Sequence, residues 1–186
     1  MKISVKNLDF DKAMAKKRPA HKKPKKIGIF WRCLIRLLSI FGMMGTKFRY
    51  TSERMELLGK DEPCLILMNH CSFTDMKLAS GIFYPRKYSI VTTTDAFIGI
   101  LGPLERLLGC IPTQKFVSDI SLIRDMEYML KKHKASVLMY PEASYSFDGT
   151  ATPLPRKMGV MLKKLGVPVV TVITEGAFAR DPLYNC

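Results

Sequence analysis

The chain of 186 residues is long enough for one ordinary domain and a short appendage, and its 47% hydrophobic and 10% aromatic content excludes a wholly disordered protein. The formal net charge of +14 is unevenly placed, since residues 1–50 carry +12 of it and residues 51–186 only +2. Because the body is nearly neutral, a folded face that binds nucleic acid through Lys and Arg is disfavoured. The cysteines show no paired spacing, which disfavours a disulfide framework or a zinc ribbon and favours a reducing, cytoplasmic setting.

The first region is strongly basic and then strongly apolar. Residues 12–26 contain eight Lys or Arg, two Pro and no acidic residue, so residues 1–26 are predicted to form a basic, flexible tail. The apolar segment 27–45 is a poor spanning helix because Arg32 and Arg36 interrupt it, and its longest charge-free stretch is far shorter than the roughly 20 residues needed to cross a membrane. A signal peptide is disfavoured because no small-residue cleavage site follows.

An interfacial helix explains residues 27–50 better. Arg32 and Arg36 are four residues apart and share one helix face, so they form a basic edge opposite a broad apolar face. This pattern is typical of a helix that lies in the plane of an anionic membrane surface, to which the lysine-rich tail adds electrostatic attraction. The alternatives are a core helix with a solvated tail, and a tail that binds nucleic acid.

Residues 51–186 are predicted to fold as one α/β domain in which strands and helices alternate. Short apolar runs predict strands at 64–68, 88–92, 110–113, 136–140 and 167–173. Helical periodicity predicts helices at 74–83, 118–134 and 155–166, and a short or interrupted helix over 96–108. Ser118 is the expected N-cap of the second of these helices and Gly166 the expected C-cap of the third. The alternation implies right-handed crossovers and a mainly parallel sheet flanked by helices.

Two polar clusters follow predicted strands, and functional groups gather at the carboxyl ends of parallel strands. The sequence NHCSFTD at 69–75 follows the first strand, and PEASYSFDGT at 141–150 follows the strand at 136–140. If these two strands are neighbours, His70, Asp75 and Glu142 converge on one edge of the sheet.

His70 is the candidate general base, because a neutral imidazole works near neutral pH and is best held by a carboxylate on its other ring nitrogen. Asp75 is offset from it by about 140° in a straight helix, so the pairing requires His70 to lie in the turn before the helix. The alternative is that His70 caps a loop while Asp75 binds free amides at the helix start. A Cys71 nucleophile is disfavoured because neighbours in sequence seldom pair well, and a metal site on these three residues lacks a fourth donor.

With Asn69, His70 and Asp75 after one strand and a Pro-Glu pair at 141–142 after another, the sequence resembles the glycerophospholipid acyltransferases over residues 27–175. The best-known members act on 1-acylglycerol-3-phosphate. The resemblance implies a membrane-associated N-terminal helix and an α/β domain facing the cytoplasm. It also implies that His70 deprotonates a lysophospholipid hydroxyl while Asp75 orients His70. Backbone amides at the start of the following helix are expected to stabilise the oxyanion.

The remaining site residues follow from the same resemblance. The implied acceptor-binding residues are Asn69, Lys115, Glu142, Ser144, Tyr145 and Arg156. The third motif of the family reads Pro-Glu-Gly-Thr-Arg-Ser, whereas this chain has Ala143 and Tyr145 in place of the glycine and the phosphate-binding arginine. A phenol lacks the charge of a guanidinium. Either Lys115, Arg156 or Lys157 supplies that charge, or the acceptor is not a phosphate monoester.

Together these features predict a membrane-associated O-acyltransferase of phospholipid synthesis, peripheral or monotopic, at the cytoplasmic face of a membrane. The expected partners are an anionic membrane surface, a lysophospholipid acceptor, most of all 1-acylglycerol-3-phosphate, and acyl-coenzyme A or acyl carrier protein as donor. No nucleic acid, metal or organic cofactor is expected. The alternatives are a non-catalytic lipid-binding protein of the same fold and a hydrolase that uses water. An incomplete C-terminal end of the domain at 51–186 is a further expectation.

Overall fold

The computed structural model describes residues 20–44, 46–98, 102–114, 120–146, 148–150 and 152–180. The strands within these residues are β1 (Leu65–Met68), β2 (Tyr88–Thr93), β3 (Ile111–Thr113), β4 (Ser136–Met139) and β5 (Val169–Val172). The helices are α1 (Ile29–Met43), α2 (Thr74–Phe83), α3 (Gly102–Leu107), α4 (Ile120–Glu127), α5 (Met158–Leu165) and α6 (Ala177–Arg180). Short 3-10 turns lie at Met55–Leu57 and Thr94–Phe97, and a π-helical turn, Tyr128–Lys132, extends α4.

The described strands form one parallel sheet in the order β3-β2-β4-β1-β5. Strand β1 pairs with β4 on one side, where Leu65 lies opposite Val137, and with β5 on the other, where Leu65 lies opposite Val169. The central strands β1 and β4 are short aliphatic runs buried on both faces, whereas β5 at the edge of the sheet is partly exposed. The predicted α/β class is confirmed, and so is the condition for convergence of the two polar clusters, since β1 and β4 are neighbours.

Alternate residues of the central strands build two apolar layers, one on each face of the sheet. Leu65 and Val137 pack in the layer that also contains buried residues of α4 and α5. Ile66 and Leu138 pack in the other layer, against α2. This alternation follows from the two-residue period of a strand, and it keeps both faces dry. The sheet is therefore a rigid support for the loops at its carboxyl edge.

Three predicted helices differ from their predicted bounds. The interrupted helix predicted over 96–108 corresponds to the end of the 3-10 turn Thr94–Phe97 and to α3, and residues 99–101 lie outside the described residues. The helix predicted at 118–134 is α4 with its π-helical turn, and the expected N-cap Ser118 lies outside the described residues. The helix predicted at 155–166 is α5, which begins at Met158. Residues 155–157 are exposed and precede it, with a turn at 156–157. Gly166 follows α5 in the left-handed conformation with φ 59°, which confirms the predicted C-cap.

Helix α1 turns its arginine edge to the protein and its apolar face outward. Arg32 Nη1 donates a hydrogen bond to the carbonyl oxygen of Pro85 at 2.9 Å, and the Arg36 guanidinium lies 5.8 Å from the ring centre of Tyr84. Seven apolar side chains of the helix and its C-cap are 47% to 72% exposed: Ile29, Phe30, Leu37, Leu38, Ile40, Phe41 and Met44. Both arginines thus find partners just after α2, so the basic edge lies against the body and the apolar face opposite it is left exposed.

The segment that leads into α1 lies against the body. His21 Nε2 is 2.9 Å from Asp125 Oδ2 on α4, and Pro24 is buried. The described end of the predicted tail therefore contacts α4, whereas residues 1–19 lie outside the described residues. Within the ranges that the structure describes, no helix has the length and apolar character needed to cross a membrane.

Candidate active site

The two polar clusters lie side by side at the carboxyl edge of the sheet. The first occupies the turn from β1 into α2, and the second follows β4, the neighbour of β1. The amide of Ser146 donates a hydrogen bond to the carbonyl oxygen of His70 at 2.7 Å and joins the two clusters. The parallel topology thus brings the loop that contains Glu142 to the pair formed by His70 and Asp75.

His70 and Asp75 form a hydrogen-bonded pair. His70 Nδ1 lies 2.9 Å from Asp75 Oδ2, and the same oxygen accepts hydrogen bonds from the amides of Cys71 at 2.7 Å and Ser72 at 2.9 Å. The carboxylate is fully buried, whereas the His70 side chain keeps 12% of its surface exposed. Asp75 lies in the first turn of α2, from which its side chain reaches back to the preceding turn. One carboxylate therefore both holds the amides before the helix and orients the histidine.

This geometry suits a general base. A carboxylate that accepts from Nδ1 fixes the tautomer with its hydrogen on Nδ1 and leaves Nε2 as the proton acceptor. The buried carboxylate also stabilises the imidazolium that forms when Nε2 takes a proton. The amides of Cys71 and Ser72, in the turn before α2, are bound to Asp75 and so are not free to bind an oxyanion. A role for the amides at the start of the helix itself stays a prediction.

Two tyrosine rings cover the faces of the His70 imidazole. The ring centre of Tyr140 is 3.7 Å from that of His70 at an interplanar angle of 13°, and the ring centre of Tyr145 is 3.9 Å away at 33°. Burial raises the pKa of both phenols, with the charge of Asp75 as a further cause, so both stay protonated at neutral pH. The sequence analysis missed Tyr140, which ends a predicted strand, and it gave Tyr145 a substrate role without this contact.

The Asn69 side chain is hydrogen-bonded to Thr174, just after β5. Its Nδ2 donates a hydrogen bond to the carbonyl oxygen of Thr174 at 2.9 Å. Its Oδ1 accepts hydrogen bonds from the amide of Thr174 at 2.8 Å and from the hydroxyl of Thr174 at 3.0 Å. The side chain thus continues the pairing of β1 with β5 beyond the ends of the strands. The described contacts give Asn69 a structural partner, and the predicted role in acceptor binding stays a prediction.

Glu142 lines a groove of about 570 Å³ at the same edge of the sheet, together with Asn69. Glu142 Oε2 is 3.4 Å from the hydroxyl of Thr152, and the Ser144 hydroxyl donates to the carbonyl oxygen of Glu142 at 3.3 Å. The described residues that line the groove include three carboxylates and no Lys or Arg: Glu142, Asp148 and Glu175. Glu142 thus lies on the wall of a groove that Asn69, the chain neighbour of His70, also lines, although neither His70 nor Asp75 is among the described lining residues. The Ser144 hydroxyl makes a local turn contact.

The two basic residues predicted to bind the acceptor do not contribute to the described groove. Lys115 lies outside the described residues. Arg156 is exposed in the turn before α5, and in the described part of the chain no contact joins it to His70. A role for either residue in acceptor binding stays a prediction.

The turn after β4 contains a residue in an unfavourable backbone conformation. Ala143 has φ 54°, in the left-handed region that a glycine adopts without cost and an alanine does not. Its amide donates to the carbonyl oxygen of Tyr140 at 3.1 Å and closes the turn. The chain leaves this turn towards His70, where Tyr145 stacks. The position therefore explains why a glycine is favoured there in the motif that this sequence resembles.

Cys71 lacks the properties of a nucleophile. Its side chain is buried, and burial followed by the charges of Asp75 and Glu142 raises the pKa of the thiol. The thiol therefore stays protonated at neutral pH. Across the described residues, no three His, Cys, Asp or Glu side chains form a group suited to hold a metal ion.

The sequence is similar to enzymes of phospholipid synthesis. The family described as Acyltransferase matches residues 49–175. Identity is 28% over 123 residues to the chloroplastic 1-acyl-sn-glycerol-3-phosphate acyltransferase BAT2 of Brassica napus, covering 64% of this chain and 35% of the relative. It is 25% over 144 residues to the human 1-acyl-sn-glycerol-3-phosphate acyltransferase beta, covering 73% of this chain and 52% of the relative. The chain thus spans from about a third to about half of the length of these relatives.

The fold is similar to that of a solved structure. The 1-acyl-sn-glycerophosphate (LPA) acyltransferase PlsC from Thermotoga maritima superposes with a TM-score of 0.59 at 19% sequence identity, covering 79% of this chain and 58% of that one. The family match over residues 49–175 takes in every strand of the described sheet and both polar clusters. The chain belongs to the acyltransferase family.

Proposed function

We propose that this protein is an O-acyltransferase that moves a fatty acyl group from an acyl thioester to the hydroxyl of a lysophospholipid. The observation that carries the proposal is the hydrogen bond between His70 and the buried carboxylate of Asp75. It leaves Nε2 without a hydrogen-bond partner among the described residues, as a general base requires.

In the proposed reaction, His70 Nε2 takes the proton of the acceptor hydroxyl as the oxygen attacks the thioester carbonyl carbon. The C–S bond of the tetrahedral intermediate then breaks, and the leaving thiolate takes the proton back from the imidazolium. The products are a new ester and a free thiol, and His70 returns to its neutral form. Asp75 holds the imidazole throughout and offsets its transient charge, and base assistance of this kind contributes about 10²–10⁴-fold.

The named relatives favour 1-acyl-sn-glycerol-3-phosphate as the first acceptor to test. The charges of the groove do not point to one particular lysophospholipid headgroup. Glu142 lies on its wall, and no Lys or Arg stands among the described residues that line it. The donor is acyl-coenzyme A or acyl carrier protein, since both present a thioester.

The test is acyl transfer in mixed micelles with each donor against a panel of lysophospholipids. We expect product with at least one acceptor and its loss in His70→Ala, while His133→Ala, a histidine beyond α4, keeps activity. Free fatty acid released without an acceptor would indicate a hydrolase. Lipid binding without product, in a folded protein and with every donor, would favour a non-catalytic lipid-binding protein.

We further propose that the enzyme works as a peripheral or monotopic protein on the cytoplasmic face of a membrane with anionic lipid. The exposed apolar face of α1 supports this, because Phe30, Leu38 and Phe41 are more than half exposed with no cover among the described residues. Lysines at 22–26 precede this face and favour anionic headgroups.

Membrane binding is tested by cosedimentation with vesicles of phosphatidylcholine, with and without phosphatidylserine. Leu38→Glu is expected to weaken binding about tenfold, since a charge replaces an inserted apolar side chain. Val160→Glu is the matched control, because Val160 is also well exposed but lies on α5, on the opposite face of the sheet. Equal loss in both variants would contradict docking through α1.

A further inference from the structure

The His70 imidazole is enclosed on three sides. Tyr140 and Tyr145 lie at ring-centre distances of 3.7 and 3.9 Å, the first nearly parallel to the imidazole at 13° and the second tilted at 33°. Two rings that lie this close and this nearly parallel to a third ring cannot share one of its faces, so each tyrosine covers a different face. The Nδ1 edge is bound to Asp75 at 2.9 Å. The edge that carries Nε2 is therefore the side of the ring that these three residues leave uncovered.

This enclosure restricts the motions that would displace Nε2 from its position relative to the acceptor hydroxyl. A rotation of the ring about its bond to Cβ would drive its edges into the two phenol rings, since both are already in van der Waals contact with it. Asp75 by itself fixes one atom of the imidazole but not the plane of the ring. The tyrosines fix that plane, and a misplacement of about 1 Å in a catalytic group can cost about 10²-fold in rate.

The rings also suit the charge that His70 acquires during the reaction. The face of an aromatic ring carries negative electrostatic potential and attracts a cation that lies over it. Both phenols stay neutral at physiological pH because burial raises the pKa of each, so their faces act through the ring and not through a phenolate. The neutral ring faces are therefore compatible with the positive charge that the proposed reaction places on His70.

We propose that Tyr140 and Tyr145 are positioning residues that hold the His70 ring plane and thereby set kcat. This inference rests on the proposed acyltransferase function. The role belongs to the ring and not to the hydroxyl, because the contact that each tyrosine makes with His70 is a stack of ring faces.

The test compares Tyr145→Leu, which removes the ring but keeps apolar bulk, with Tyr145→Phe, which keeps the ring. We expect kcat to fall about 10- to 100-fold in Tyr145→Leu with the acceptor KM within about threefold of wild type. Tyr145→Phe is expected to keep at least half of kcat. An unchanged kcat in Tyr145→Leu overturns the proposal, and so does an equal loss in Tyr145→Phe, since the hydroxyl would then be the active group.

A second readout does not depend on activity. Stacked rings shift the carbon-bound hydrogens of an imidazole upfield in the NMR spectrum, and these His70 signals are assigned by their loss in His70→Ala. Tyr145→Leu is expected to move them downfield and Tyr145→Phe to leave them in place. If wild type shows this pattern but transfers no acyl group, the proposed function fails while the packing stands. Unmoved signals in Tyr145→Leu overturn the positioning role.

Tyr140 supplies an independent pair of variants should Tyr145→Leu fail to fold. Tyr140→Phe keeps the closer of the two stacks, whereas Tyr140→Leu removes it. We expect the first to retain kcat and the His70 signals, and the second to lose about 10-fold or more in kcat with a downfield shift. Equal behaviour of the two variants overturns the proposal.

Discussion

The turn after β1 and the loop after β4 meet at the same edge of the sheet, yet they are held in different ways. In the turn, one carboxylate oxygen of Asp75 accepts from His70, Cys71 and Ser72, all within five residues. In the loop, the Glu142 carboxylate has one long contact, to a hydroxyl, among the residues that the structure describes, and the backbone bends through a left-handed alanine. The first arrangement is local and closely bonded, and the second depends on contacts made across the fold.

This difference matches the two roles that we propose, a general base in the turn and a substrate contact in the loop. A general base must keep one geometry through every catalytic cycle, and a buried carboxylate whose Oδ2 accepts three hydrogen bonds favours this. A surface that binds substrate needs fewer internal hydrogen bonds, because contacts with the bound ligand also hold its side chains in place. Tyr145 links the two regions, since it belongs to the loop but its ring packs on His70, the proposed base.

The sharpest contrast is between the carboxylates of the two regions. We expect Asp75→Asn to lower kcat by about 10²–10⁴-fold, because an amide can neither fix the His70 tautomer nor offset the imidazolium charge. Glu142→Gln is expected to change mainly the KM of the acceptor, by about tenfold or less. Steady-state kinetics with the best acceptor separate the two. A loss of kcat in Glu142→Gln as large as that in Asp75→Asn would break the contrast.

The hydrogen bonds between Asn69 after β1 and Thr174 after β5 can be removed to measure how much the carboxyl edge of the sheet depends on contacts between distant residues. Asn69→Ala removes the three hydrogen bonds to Thr174, and the free energy of unfolding is expected to fall by about 2–3 kcal/mol. Ser144→Ala removes one contact within the loop and is expected to cost less than about 1 kcal/mol. Urea denaturation followed by circular dichroism measures both, and similar values would contradict the structural role of Asn69.

Alkaline pH tests the burial of Tyr140 against His70. Burial raises the pKa of this phenol above the value near 10 that it has in the unfolded chain. Its contribution to stability is fully present below pH 10 and is lost as pH rises towards the native value, because the unfolded state releases the proton first. Between pH 10 and 11, wild type should lose about 1 kcal/mol more than Tyr140→Phe. Equal losses in denaturant titrations would show that the phenol is not buried.

The smallest expected effect concerns the backbone of the loop. Ala143→Gly relieves the left-handed alanine at φ 54° and should raise the free energy of unfolding by about 0.5–1 kcal/mol. The control is Ala79→Gly in the buried part of α2, which should lower it by about 1 kcal/mol or more. Thermal unfolding distinguishes the two signs. Destabilisation by Ala143→Gly would mean that the turn carries no strain.

Several features followed from the sequence by itself because they depend on neighbours along the chain. The aliphatic runs specified the strands, of which β1 and β4 are buried on both faces, and α2 has the predicted bounds. The His70–Asp75 pair was predictable because a turn and the first turn of a helix bring the two side chains together without help from the rest of the fold.

The tertiary structure decided what depends on separate segments meeting. Strand order put β4 beside β1, and only then could Tyr140 and Tyr145 enclose His70. The pairing of Asn69 with Thr174 joins residues far apart in the chain, and the inward turn of Arg32 on α1 required the carbonyl of Pro85 after α2. Periodicity shows which residues share a face of an element, but the partner of that face is chosen by packing, where buried contacts and satisfied polar groups decide the arrangement.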